Sequence, residues 1–188
     1  AAVQRIYLQG APQQTENPLD VAIEGDGFFQ VTLPDGNLAY TRAGSFKMDA
    51  NGAMVTSDGD PVTPQINIPT GATAVSIGSD GTVSVNLPGQ TASSQVGQIQ
   101  TVRFANPAGL RAEGRNLLRE TQTSGAAQQG TPGQDGFGQL AQGFVENSNV
   151  SVVDEFIQMI VAQRSYEANS RVVKAADEMF QQINNLGR

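Results

Sequence analysis

The chain has 188 residues, 18 acidic and 11 basic side chains for a net charge of −7, 38% hydrophobic residues and 21 glycines. It has no Cys, His or Trp. This excludes disulfides and thiolate metal sites, removes the commonest general base and metal ligand at neutral pH, and leaves an acidic surface ill suited to nucleic acid, whose phosphates need clustered Lys and Arg.

Little apolar material in a Gly-rich chain predicts thin β layers with many turns rather than one thick core. Residues 1–19, with Gly10, Pro12 and Pro18, read as an extended strap. Residues 20–118 read as an antiparallel β domain. Residues 20–33 hold two short apolar runs split by Gly25-Asp26-Gly27, with Val21, Ile23, Phe29, Val31 and Leu33 at period-two positions, the mark of half-buried strands. Pro34-Asp35-Gly36-Asn37 is a turn in which Pro presets φ and Gly supplies φ > 0. Further turns fall at Asp49-Ala50-Asn51-Gly52, Ser57-Asp58-Gly59-Asp60 and Ser79-Asp80-Gly81-Thr82. Strands are expected at 38–41, 45–48, 53–56, 61–68, 74–77, 83–87 and 96–104. Short strands at short intervals define a sandwich or barrel-like fold.

Residues 119–149 read as a connection. Residues 119–138 are rich in Gly, Gln, Ser and Thr and bury too little to fold alone; residues 139–149 return as a short strand-like run. Residues 150–188 then form a long helix, so the fold class is mainly β with one terminal α-helix. Ser151 is the N-cap, Asp154 and Glu155 sit by the positive helix end, and Gly187 is the C′ stop. The helix runs ~35 residues, or ~50 Å.

Within it, Met159, Ala162, Tyr166, Asn169, Val173, Ala176, Phe180 and Ile183 alternate steps of three and four, a heptad seam. Arg164, Glu167, Arg171, Lys174 and Glu178 line the reverse face, either as a solvated surface or as lateral contacts, and Glu167 with Arg171 makes an i,i+4 pair worth a few tenths of a kcal/mol. Asn169 reads as a register-setting polar residue or as a solvent-reachable one at a loose contact. Tyr166 reads as a packed aromatic. In the first turns, Val152, Val153, Phe156, Ile157, Met159, Ile160 and Val161 leave almost no polar face. This predicts a helix base enclosed on all sides around Val153, Phe156, Ile157 and Ile160. No second long helix is available in these residues. The terminal helix is therefore coiled-coil-forming toward another chain or a part of the protein outside this sequence.

No chemistry competes strongly. Asp58 and Asp60 flank a glycine and Asp49 sits near Asn51, offering oxygens of the kind calcium takes, but the spacing fails the EF-hand loop and suits hairpin turns. No phosphate-binding fingerprint and no nucleophile–base constellation is present. The expectation is therefore no catalytic, cofactor-binding or metal residue. A secreted β-rich module binding glycan or calcium through its Asp-Gly loops, and a hydrolase, are the alternatives from other classes. No apolar run is long enough to span a bilayer and none reads as a signal-peptide core.

Glu146-Asn147-Ser148-Asn149-Val150, Met159-Ile160, Gln163-Arg164-Ser165-Tyr166-Glu167-Ala168-Asn169-Ser170 and Asp177-Glu178-Met179 together resemble the C-terminal signature of the bacterial flagellar rod and hook proteins. Asp20-Val21-Ala22-Ile23, Gly27-Phe28-Phe29, Tyr40-Thr41-Arg42, Gly44, Phe46 and the pair Asp49 and Gly52 resemble that family's β block. Residues 109–125, with Gly143 and Glu146, resemble the lead into the terminal helix in its distal-rod form. The resemblance implies a structural protein, not an enzyme. Copies would stack helically into a hollow shaft, helices lining the bore and β domains outside, that carries torque to the hook. It implies as partners the chain itself, proximal rod proteins, the hook protein and surrounding ring proteins, with no nucleic acid and no membrane insertion. It implies location in the basal-body rod crossing the periplasm, and export by the flagellar type III apparatus. Family members open with a helix that pairs with the C-terminal one; the sequence here starts beyond that point, and such a helix is the implied partner of the seam. A proximal rod or hook protein is the near alternative, the modest β region favouring rod.

Overall fold

The structure, a computed structural model, describes residues 7–90 and 92–186, with side chains through residue 182. The Gly187 stop, the Ile183 side chain and the first six residues of the strap lie outside the described residues. The chain divides into two units between Asn149 and Val150.

The first unit is built from short antiparallel strands: β1 (Pro12–Gln14), β2 (Val21–Glu24), β3 (Phe28–Thr32), β4 (Leu38–Thr41), β5 (Lys47–Met48), β6 (Met54–Val55), β7 (Ala74–Ile77), β8 (Thr82–Asn86), β9 (Ser94–Gln98), β10 (Thr101–Arg103), β11 (Arg111–Gly114), β12 (Leu117–Arg119), β13 (Gln128–Gly130), β14 (Gln139–Gln142) and β15 (Phe144–Glu146). The central sheet has six strands in the order β11-β12-β4-β3-β10-β13. A three-stranded sheet, β7-β8-β9, and the pairs β1-β15, β14-β2 and β5-β6 complete the unit. The second unit is one helix, α1 (Val152–Leu186), of 35 residues.

The turns form where Asx chemistry predicts them. Gly36 takes φ +79°, Asp35 Oδ1 accepts the Asn37 N–H at 3.0 Å, and the strand pair β3–β4 follows directly. Asp49 Oδ1 accepts from the backbone N–H of Asn51 and of Ala53, at 2.8 and 2.7 Å. Asp80 Oδ1 accepts from the Thr82 N–H at 3.0 Å.

Four expectations need correction. First, β2 and β3 are not half-buried. Val21, Ile23 and Phe29 pack with Phe46, Met54, Ile66, Val83, Ile99 and Leu140, while their alternate neighbour Phe28 packs with Tyr40, Val102, Phe104, Leu110 and Leu118. Period two thus describes only one of two buried faces. Second, residues 119–138 are no bare connection. They carry β13, which pairs with β10; Ala127 packs on the Phe28 cluster, and Gln129 Nε2 donates to Gln30 Oε1 at 2.9 Å. This polar segment extends the central sheet at its β10 edge and packs Ala127 on the Phe28 cluster, gaining from long-range pairing what its composition cannot supply alone. Third, residues 96–104 are two strands. Ile99 is fully buried and its N–H donates to Gly81 O at 2.8 Å, so the chain turns into the core there and passes from one sheet to another. Fourth, residues 61–68 make only isolated bridges, since Pro61 and Pro64 lack the N–H a ladder needs.

Candidate assembly interface

The helix starts as its sequence dictates. Ser151 Oγ accepts the Asp154 N–H at 3.3 Å, and Asp154 and Glu155 occupy the first turn, where carboxylates offset the helix dipole. From there Met159, Ala162, Tyr166, Asn169, Val173, Ala176 and Phe180 lie on one helix at heptad spacing. Apart from the partly covered Ala176 they are exposed in the single chain, Val173 at 60% and Phe180 at 65%. Ile183 falls within α1, its side chain beyond those described. The helix base, Val153, Phe156, Ile157 and Ile160, is also exposed, at 49% to 67%; enclosure would come only from neighbours.

The apolar surface is wider than the seam. At about 100° per residue, Val161, Ala168, Val172, Ala175 and Met179 flank it. Between residues 159 and 180 an arc of about 180°, from Ala175 round to Tyr166, carries no charge and no polar group except Ser165, Asn169 and the Tyr166 hydroxyl; Asp177 shares the angle of Met159 at its edge. Ser165 is already satisfied, its hydroxyl donating to Val161 O at 2.9 Å. The charges of Arg164, Glu167, Arg171, Lys174 and Glu178 occupy the remaining arc. Glu167 and Arg171 meet only at 4.0 Å and are well exposed, so their pair contributes little. Heptad scoring missed Val172 and Met179 because it tests one stripe; a full helical wheel finds them. The seam also drifts by about 20° per heptad, so a helix following it winds left-handed.

The Asp loops are occupied by protein. Arg115 reaches Asp58 at 4.0 Å and Asp60 at 3.5 Å. Among the described residues, no group of acidic side chains is placed to hold a metal ion, and no helix is long and apolar enough to cross a membrane.

An antiparallel β unit and a long helix with an uncovered apolar arc are features of a structural protein that presents a helical surface to partners. Comparison with known proteins gives that class its biological setting: residues 22–85 match the "Flagellar hook protein FlgE/F/G D1 domain" family and residues 141–186 the "Flagellar basal body rod FlgEFG protein C-terminal" family. The flagellar basal-body rod protein FlgG of Buchnera aphidicola (subsp. Acyrthosiphon pisum) is 48% identical over 98% of this chain and 71% of that protein. FlgG of Borreliella burgdorferi is 49% identical over 100% of this chain and 72% of its own length. The hook protein FlgE of Escherichia coli is 44% identical, but over only 48% of this chain and 23% of its own length. The chain belongs to the FlgG family of flagellar basal-body rod proteins, and is a structural component of the flagellar basal body.

Proposed function

We propose that the chain is a self-assembling subunit of the distal rod, the drive shaft that carries torque to the hook. The reading rests on one observation above all: a mainly apolar helical arc about 180° wide is left open to solvent. A narrow seam satisfies one partner helix. An arc this wide calls for neighbours on more than one side, which a tubular wall of packed helices supplies. Residues 150–188 would form that inner wall, and the β unit that ends at Asn149, strap and residues 119–149 included, the outer layer. Met159, Ala162, Tyr166, Asn169, Val173, Ala176, Phe180 and Ile183 would pack against a partner helix, and Val153, Phe156, Ile157 and Ile160 would be enclosed at the base. Proximal rod proteins, the hook protein and the surrounding rings are the expected neighbours. Passage through the flagellar type III apparatus is the expected route to a rod crossing the periplasm. A rod subunit of this kind has no catalytic role. Electron microscopy of the purified full-length protein tests the proposal: helical polymers are expected, and a protein that stays monomeric at every concentration refutes it.

A further inference from the structure

The strap and the last strand of the β unit form a ribbon, joined to the body by the Gln9 amide, which bonds Ile23 O and Gly25 N–H, by Tyr7 packed edge-on to Phe28, and by an ion pair between Arg42 and Glu146. β1 runs antiparallel to β15, Pro12 opposite Glu146 and Gln14 opposite Phe144. The pairing continues past both strand ends. Thr15 N–H donates to Gly143 O at 2.7 Å, Asn147 N–H to Ala11 O at 3.0 Å, and the Asn149 side-chain amide to Leu8 O at 2.9 Å. A Cβ on Gly10 would collide with the Asn147 carbonyl, so only glycine lets the two backbones approach there. The chain therefore enters and leaves this unit side by side.

Glu146 is the hub. Its Oε1 accepts the Gly10 N–H at 2.9 Å from the strap, and its Oε2 accepts Arg42 Nε at 2.6 Å from the body. The Arg42 guanidinium uses its other two nitrogens on the body itself, Nη1 on Gly27 O at 2.8 Å and Nη2 on Ile23 O at 3.1 Å. Both side chains are largely covered, at 25% and 11% exposure. In that setting a charge-assisted pair is stronger than at the surface, and removing one partner strands the other. Among the described residues of the β unit, this is the one salt bridge that joins the ribbon to the body; the others pair Arg111, Arg115 and Arg119 with Asp35, Asp58, Asp60 and Glu113.

We infer that Arg42 and Glu146 are a latch that holds the strap and the final strand to the β body as one piece. Arg42 is the positioning residue through which load passes between that body and the chain on either side of it. The mechanical part rests on the rod reading above; the latch itself does not.

Hydrogen exchange on the unassembled full-length protein tests the latch. In Arg42→Met, the amides of Gly10, Thr15 and Asn147 are expected to exchange about tenfold faster or more, while those of Met54 and Ile99 in the core keep their wild-type rates. Glu146→Gln keeps the acceptor and loses the charge, so it should give a smaller acceleration at the same three amides, and it carries the test if Arg42→Met does not fold. Unchanged ribbon amides in Glu146→Gln and Arg42→Met, or core amides that accelerate equally, each overturn the latch. Assembled rods of Glu146→Gln should break at lower shear than wild-type rods, and equal strength overturns its load-bearing role. Failure of the wild-type protein to polymerise would strike the rod reading and leave the exchange result standing.

Discussion

Asp35 and Asp80 stabilise their turns as charged acceptors. The Asn37 side-chain amide and backbone N–H, with Arg119 adding a smaller share, hold the Asp35 carboxyl below its ordinary 3.8. The backbone N–H and hydroxyl of Thr82 do the same for Asp80. A carboxyl whose folded-state pKa is lowered contributes stability above its ordinary value, and that contribution is lost as pH falls through the lowered one. Urea midpoints should therefore drop below about pH 4, and the double variant Asp35→Asn, Asp80→Asn should flatten that acid limb; an acid limb of unchanged slope would contradict this. Two further residues test packing. Phe29 is fully buried and meets Phe46 edge-on at 5.0 Å, so Phe29→Ala should cost about 3–5 kcal/mol in chemical denaturation. A Cβ on Gly44 would strike the Val21 carbonyl, so Gly44→Ala should cost about 1–3 kcal/mol by the same measurement. The Asp-Gly turns were legible in sequence because an Asx side chain bonds its own backbone two residues on. Arg42 and Glu146 were not, because 104 residues separate them and only the fold brings them together.

The long helix is the element whose sequence speaks most plainly, since cap, heptad and charged stripe are all local patterns. Its outer flank was legible only on a full turn of the wheel. Val173→Asp and Phe180→Asp each put a charge into the seam, where burial without a partner is costly. Both should abolish polymerisation of the full-length protein in sedimentation while leaving the β unit's melting temperature unchanged. Val172→Asp and Met179→Asp should weaken assembly as well if the whole arc is covered; normal assembly of both would shrink the interface to the seam. Lys174→Gln, on the charged arc, should assemble as wild type. The β elements were legible where a turn closes a hairpin, as between β3 and β4, and β7 and β8. They were missed where pairing is long-range. β13 has a composition that argues for no structure, yet it forms the sheet edge because it pairs with β10, with Ala127 beside it packed on the Phe28 cluster.

At the scale of the molecule, two designs are joined in sequence. The β unit buries two faces of one central sheet and ties its entry and exit strands into a ribbon. The helix keeps its apolar arc open in the single chain. That division suits a subunit whose body is finished before assembly and whose helix is finished by it. Hydroxyl-radical footprinting of the full-length protein, free and assembled, measures this directly by reading side-chain oxidation at Met159, Tyr166, Met179 and Phe180 against buried Met54 as internal reference. Assembly should protect the four helix positions severalfold and leave Met54 unchanged. Equal labelling of those positions in free protein and polymer would contradict the account.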